Sequence, residues 1–278
     1  MSDNETQKER IAGLYDRVAS TYGQVGPNYF AYAGRHLVEH LAMSEGAEVL
    51  DVAAGRGANL FPAAEAVGPH GQVIGIDLAP GMLQATTAEI KRRNLLHVSM
   101  LQMDAEHLAF PDASFGYVLC GFAIFFFPHL EQALSEFFRV LRPGGTLGIT
   151  VARNLDALSH WYGEHITAYH ERYQFPWRVG GGKGSNYAEL PHYLRDAGFS
   201  DVQVLQEEAD FVYADAQEWW DAKWTHGTRY ALEHMDAEVL AQFKAEVFAK
   251  LAQEAQPDGV HEVLHFQYVL AGKKWVKC

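Results

Sequence analysis

Between residues 49 and 152 short apolar runs alternate with amphipathic stretches, and this rhythm admits one kind of core. The apolar runs fall at residues 49–52, 73–78, 97–102, 115–122 and 146–152. Helical patterns fill residues 59–66, a stretch opened by Pro80 and ending near Arg93, and residues 130–141. Proline suits a first helical turn, where its missing N–H is not needed. Strands alternating with helices bury both faces of a parallel sheet, and right-handed crossovers wind it on both sides. Two later strands, residues 202–207 and the long apolar run 261–270, bring the count to seven. The expected fold class is α/β, a doubly wound, mostly parallel seven-stranded sheet.

The flanks depart from this rhythm. Residues 5–20 read as a mildly amphipathic helix, Val25-Gly26-Pro27 breaks it, and residues 30–41 resume a helical pattern. Pro143-Gly144-Gly145 reads as a turn. Residues 156–180 are rich in His, Tyr and Trp and run into Gly180-Gly181-Gly182-Lys183-Gly184; residues 187–197 and 215–254 read as helical. These segments are expected to form a helical cap over the C-terminal edge of the sheet. The division is then residues 1–45 as a helical segment covering the site, 46–152 as the binding core, and 153–278 as the rest of the sheet with the cap.

Charge and cysteine usage narrow the partners. A formal net charge of -13 repels a phosphate backbone, so nucleic acid is not an expected partner. The densest basic cluster, Lys91-Arg92-Arg93, reads as a solvated helix end. The polar stretch of residues 1–10 lacks the apolar core of a signal peptide, and the apolar run at residues 122–128 is too short to span a bilayer. Cys120 and Cys278 have no reason to pair, which points to a reducing compartment and a cytoplasmic location. A homodimer is left open.

The first strand runs into Val49-Leu50-Asp51-Val52-Ala53-Ala54-Gly55-Arg56-Gly57. Small residues at 53, 55 and 57 let a ligand lie against the backbone and leave the N–H groups of the next helix open. By itself such a turn is common. The second strand ends in Ile76-Asp77-Leu78, where an acid can accept hydrogen bonds from both ribose hydroxyls. The third ends near Met103-Asp104-Ala105, where an acid can accept from an adenine amine. A lone acid at a strand end is usually a cap or turn former, but three in register with a small-residue turn describe one ligand crevice.

These runs closely resemble the class I S-adenosylmethionine (SAM) dependent methyltransferases, which have a Rossmann-like fold. So do Gly75-Ile76-Asp77-Leu78-Ala79-Pro80-Gly81-Met82-Leu83, Phe110-Pro111-Asp112-Ala113-Ser114-Phe115 and Val140-Leu141-Arg142-Pro143-Gly144-Gly145. The opening Tyr15-Asp16-Arg17-Val18-Ala19-Ser20-Thr21-Tyr22 is similar to the ubiquinone/menaquinone C-methyltransferase branch. The resemblance covers roughly residues 11–152. It implies that Asp51 and the turn (Ala53, Gly55, Gly57, Asn59) hold the methionine moiety, and that Asp77 with Leu78 and Met82 holds the ribose side. It implies further that Asp104 and Ala105 contact adenine, that Gly121 and Phe122 flank the methionine and the acceptor, and that Tyr22 approaches from the N-terminal segment. Ala53 stands where many members have Gly; Gly23 and Gly116 stand where the pattern often has Asp. A dehydrogenase fingerprint needs small residues at the first, third and sixth places of its turn, and Ala53, Gly55 and Ala58 meet it only loosely.

The expected reaction is methyl transfer to carbon or oxygen of a small, largely apolar acceptor. Two competing readings keep SAM: a non-methylating reaction such as cyclisation, and a regulatory SAM-binding partner protein. Residues 121–128 lack the Asn/Asp-Pro-Pro-aromatic tetrapeptide that accompanies methylation of base amino groups in this superfamily. The candidate bases are His160, His165, His170 and His226. Histidines five apart on a helix are rotated by about 140°, so 160, 165 and 170 do not build a metal site. His261 and His265 are about 13 Å apart on a strand, so no metal is expected. Phe30, Phe126, Trp161, His165 and Trp224 are candidates for the acceptor pocket, with Tyr162, Tyr169, Trp177, Trp219 and Trp220 in the same aromatic clusters.

Overall fold

The structure, a computed structural model, describes residues 3–153, 156–176 and 186–275. Trp177, the glycine run 180–184 and Cys278 lie outside the described residues. Seven strands form one sheet in the order β3-β2-β1-β4-β5-β7-β6. They are β1 (Glu48–Val52), β2 (Gln72–Asp77), β3 (Val98–Gln102), β4 (Phe115–Gly121), β5 (Leu141–Arg153), β6 (Ser200–Tyr213) and β7 (Val260–Gly272). The pairs from β3 to β5 are parallel. Strand β7 lies antiparallel to both its neighbours, which leaves it the one reversed strand. The order turns back on itself between β1 and β4, the position where an open α/β sheet holds its ligand beyond the strand ends.

Buried apolar side chains follow this plan. On one face α2 (Tyr29–Leu41) and α3 (Leu60–Val67), with Ile90 of α4 (Pro80–Arg92), pack on Val49, Val73 and Leu119. On the other, α5 (Leu130–Val140) and α7 (Leu190–Asp196) pack on Leu50, Val118, Ile149 and Val269. Helix α2 lies close to the first turn because Gly34 has no Cβ; one built there would fall 2.1 Å from the Ala58 carbonyl oxygen. The N-terminal helix α1 (Asp3–Val18) is tied to α4 by Asp16, whose carboxylate accepts the Gly81 N–H at 2.6 Å.

The cap has its own core. Helices α6 (Ala157–Tyr173), α8 (Ala216–Lys223), α9 (Arg229–Leu232) and α10 (Ala237–Glu254) enclose Trp219, Trp220, Phe243, Val247, Leu251 and Tyr169. Three expectations change here. The helical stretch 215–254 is three helices; Asp215 caps the first through the Glu218 N–H at 2.9 Å. The strand expected at 202–207 extends to Tyr213, because its antiparallel pairing with β7 continues to Val260. Pro143-Gly144-Gly145 lies within β5 as an irregular start, with a register shift against β4 and Gly144 at φ +84°.

Candidate functional site

Strand β1 ends in Asp51-Val52, and the chain then turns sharply, with Ala53, Gly55 and Gly57 all at left-handed φ (+53°, +51° and +83°). Two glycines adopt this freely; for Ala53 the conformation costs roughly 1–2 kcal/mol, a strain of the kind stored at ligand clamps. The turn is held from the next strand. Asp77, at the end of β2, accepts the Gly55 N–H at 2.8 Å and the Ala79 N–H at 3.0 Å. Burial raises its pKa, opposed by those backbone N–H groups. Asp104, beyond β3, accepts the Glu106 N–H at 3.0 Å and the Lys8 ammonium at 2.7 Å.

These strand ends surround a crevice of about 100 Å³. Ala53, Gly55, Asp77, Leu78, Met82, Asp104, Ala105, Gly121 and Phe122 line it from the sheet side. Tyr22 lines it from the N-terminal segment together with Lys8, Ile11 and Tyr15 of α1. Phe126, expected in the acceptor pocket, also reaches this crevice. Three expected contacts stand behind its wall. Asp51 is fully buried under the turn, with Asn59 donating to it at 3.1 Å. Gly57 faces an outer groove beside Arg56, away from the crevice.

The lining of the crevice suits the SAM that its motifs imply. Its floor is bare backbone, and two ionisable carboxyls, Asp77 and Asp104, lie at successive strand ends. The second carboxyl oxygen of Asp51 is buried without a hydrogen-bond partner, and a cationic group over the turn would stabilise its charge through space. Burial pushes the Asp51 pKa up to about 7.

A second chamber, of about 260 Å³, adjoins the crevice across Tyr15, Tyr22, Phe122 and Phe126. Phe122 sits at φ +54° between the two spaces. Tyr22 stacks on Phe30 at 4.7 Å, and Phe30 meets Phe122 edge-on at 5.2 Å. Tyr29, Phe125, Tyr162 and Tyr187 extend the aromatic wall. Its charged residues are Lys223 and Glu262, paired at 2.9 and 3.0 Å and almost fully buried. Ser159 donates to the same carboxylate at 3.2 Å. Burial pushes the Glu262 pKa up, but the adjacent Lys223 charge and hydrogen bonds outweigh it and the net shift is downward.

Of the expected histidines, His226 reaches this chamber. Burial, reinforced by the Lys223 charge, pushes its pKa down to about 3, so its imidazole is neutral at working pH. The others stand elsewhere. His160 is exposed and pairs with Glu164 along α6 at 3.3 Å. His165 is stacked between Trp161 and Phe243 and pairs with Glu246 at 3.0 Å. His170 contacts the Phe175 carbonyl at 2.6 Å. Trp161 and Trp224, expected in the pocket, pack into the cap core instead, as do Tyr169, Trp219 and Trp220. His261 pairs with Asp210 and Asp258, and His265 with Glu208. At the end of α4, Arg92 and Arg93 are both held by Glu89.

Sequence reasoning overlooked Lys8, Ile11 and Tyr15, although their i, i+3, i+7 spacing puts them on one helix face. It also overlooked Glu262. The alternate residues Val260, Leu264, Phe266 and Tyr268 of β7 are all buried, and an acid in that register is a buried polar group that asks for a partner. Lys223 supplies it.

A methyltransferase-domain family matches residues 49–145. The chain is similar to nocamycin O-methyltransferase of Saccharothrix syringae, 32% identical over 256 residues, covering 87% of this chain and 91% of that protein. It is 39% identical over 147 residues to aklanonic acid methyltransferase DauC of Streptomyces sp. (strain C5), covering 53% of this chain and 67% of that one. It is 28% identical over 227 residues to the demethylmenaquinone methyltransferase of Geobacillus sp. (strain WCH70), covering 72% and 92%. The same fold is seen in a solved structure from Bacillus halodurans C-125, described as a putative methyltransferase. Its TM-score is 0.60 and its identity 22%, over 88% of this chain and 100% of that one. A strand-end crevice of this construction defines a nucleoside-cofactor enzyme with a doubly wound sheet. The chain belongs to the SAM-dependent methyltransferases.

Proposed function

We propose that the chain methylates an oxygen or carbon of a small, largely apolar acceptor held in the aromatic chamber beside the SAM crevice. One observation carries this reading: Tyr15, Tyr22, Phe122 and Phe126 line both spaces, so an acceptor in one lies next to a cofactor in the other. The names of two relatives, nocamycin O-methyltransferase and aklanonic acid methyltransferase, favour an acceptor of that kind. In this reading residues 1–45 cover the cofactor, residues 46–152 bind it, and residues 153–278 complete the sheet and wall the acceptor pocket.

Bound in the crevice, SAM supplies an electrophilic methyl group. The protein's own work is alignment and exclusion of water. Asp77, fixed by two backbone N–H groups, would receive ribose hydroxyls, Asp104 the adenine amine, and the bare turn over Asp51 the methionine end. Lys8 reaches from α1 to Asp104 and Glu106 and closes the crevice at the adenine end. The aromatic side chains hold the acceptor without competing nucleophilic water. Fixing two reactants in this way is worth about 7–11 kcal/mol of barrier.

The two cysteines and the acidic surface favour a cytoplasmic setting and a small-molecule partner. Among the described residues no helix is long and apolar enough to cross a membrane. The test is transfer of radiolabel from methyl-labelled SAM to candidate polyketide and quinone acceptors, with Phe126→Trp as the partner experiment. Label transfer that Phe126→Trp suppresses while S-adenosylhomocysteine affinity is unchanged supports the chamber as the acceptor site; undiminished transfer in that variant refutes it.

A further inference from the structure

We propose that the acceptor binds as an anion, its charged oxygen held by Lys223, His226 and Tyr162 at the inner end of the aromatic chamber. The inference rests on the reading of this chamber as the acceptor site, and it comes from counting which polar groups there still lack partners.

Glu262 lacks none. A carboxylate offers about four lone-pair sites, and here two are met by Lys223, one by Ser159 and one by the Tyr213 hydroxyl. Lys223 spends two of its three N–H bonds on Glu262, and its ammonium lies 4.2 Å over the Trp219 ring. Its third N–H remains. Among the described residues the Tyr162 hydroxyl is buried with no partner at all. Burial and the nearby Glu262 charge raise its pKa, so it stays protonated and can donate.

His226 completes the set through its tautomer. The backbone N–H of Thr228 points at Nδ1 from 3.5 Å. The Thr228 hydroxyl lies 3.4 Å from the same nitrogen and can donate or accept; a backbone N–H can only donate, so the tautomer that satisfies both leaves Nδ1 bare and carries the ring proton on Nε2. The imidazole is therefore a hydrogen-bond donor toward the chamber rather than a base. The donors that converge around Glu262 are thus an ammonium N–H, an imidazole N–H and a phenol O–H, with the hydroxyls of Tyr15, Tyr22, Tyr29 and Tyr187 along the rest of the chamber wall. A ligand that satisfies three donors brings acceptor lone pairs, and beside an ammonium it brings negative charge.

Stability does not explain such an arrangement. A buried ion pair seldom outperforms apolar side chains of equal volume, because both charges must be desolvated. Methyl transfer does explain it. The acceptor oxygen uses a lone pair to form the new O–C bond while the S–C bond breaks and its electron pair returns to sulfur. One negative and one positive charge vanish together, and no proton has to be removed. That matches a chamber whose described residues offer donors and no free base. The shared chemistry is an oxyanion of a planar apolar acid, whether carboxylate, enolate or phenolate.

The probes are 2-naphthoate, its uncharged isostere 2-naphthamide, and 2-naphthol, titrated by calorimetry into protein saturated with S-adenosylhomocysteine. A charge-assisted hydrogen bond of about 1.5–3 kcal/mol predicts naphthoate binding at least about tenfold tighter than naphthamide. The double variant Lys223→Met/Glu262→Met leaves no unpaired buried charge, so it is expected to fold; it should bring the two affinities within about threefold. His226→Gln, which keeps an N–H donor, should retain most of the preference that His226→Phe loses. Naphthoate favoured over naphthol assigns the carboxylate source, and tighter naphthol binding as the pH rises assigns the phenolate. Equal affinity of the parent protein for naphthoate and naphthamide overturns the proposal and leaves the chamber reading intact. If no probe binds while S-adenosylhomocysteine does, the chamber is not the acceptor site and both readings fall.

Discussion

Replacing Asp51 with asparagine removes a buried negative charge and keeps both the side-chain shape and the Asn59 hydrogen bond. Asp51 is 0% exposed, and one of its oxygens has no partner. Its pKa rises from 3.8 to about 7, chiefly through burial, with Asn59 opposing and the Asp77 charge assisting. The folded state thus holds the proton more tightly than the unfolded chain. Its stabilising contribution is complete below about pH 3.8 and is lost as the pH climbs through about 7. At 1.36 kcal/mol for each pH unit, the full loss is about 4 kcal/mol, of which about 2 kcal/mol accrues between pH 5.5 and 8.5. Asp51→Asn escapes it. Urea denaturation of the cofactor-free protein should show the variant gaining on the parent by about 2 kcal/mol across that pH range. Titrating groups that do not interact with Asp51 are common to both proteins and cancel. A difference that stays constant from pH 5.5 to 8.5 would refute the reasoning.

The same carboxyl predicts a binding signature. At pH 7 about half of the Asp51 population is protonated. If the methionine ammonium of SAM settles over the turn, it favours the carboxylate, and binding expels about half a proton. Calorimetry in phosphate and in Tris, whose ionisation enthalpies differ, reads this directly. The parent should release protons and Asp51→Asn should not. Equal release from both would place the cofactor's ammonium elsewhere.

Asp77→Asn offers one acceptor oxygen where two backbone N–H groups need one each, so S-adenosylhomocysteine affinity should fall at least about tenfold by calorimetry. Lys8→Ala opens the adenine end and should speed S-adenosylhomocysteine release about fivefold in stopped-flow fluorescence, as expected for a half-buried pair worth about 1 kcal/mol. Gly34→Ala drives a methyl group into the Ala58 carbonyl. It should cost about 1–3 kcal/mol in denaturation, and weaken cofactor binding as well because the displaced backbone belongs to the turn.

The fold was legible because its determinants are local and repeated. Residues 49–152 state their period strand by strand, and each short apolar run admits one pairing mode once helices separate it from the next. The cofactor side was legible for a related reason. Asp77 and Asp104 lie at or just beyond the ends of their own strands and line the crevice, so strand ends read from sequence already locate them. Where a residue's role depends on what lies behind the wall, the reading slipped. Asp51, Gly57 and Asn59 share the crevice's motif but not its surface, since the turn at Ala53 puts its backbone, not its side chains, toward the ligand.

The second chamber resisted for a reason that is physical rather than statistical. Its polar groups come from α6, α8 and β7, and Ser159 and Glu262 are separated by about a hundred residues. Helical periodicity reports which side chains share a face, not what that face meets. Trp161 and His165 do share a face of α6, but it packs against Phe243 of α10 and seals the cap. The opposite error was avoidable. Glu262 breaks the apolar alternation of β7 at one inward position, and an uncompensated carboxylate there would cost several kcal/mol. A strand with such an interruption requires a buried cation somewhere in the chain. Trp219 and Lys223, four residues apart on α8, provide a cation with an aromatic face beneath it. The partner that such a misplaced buried charge demands is Lys223, and the pair marks one wall of the second chamber.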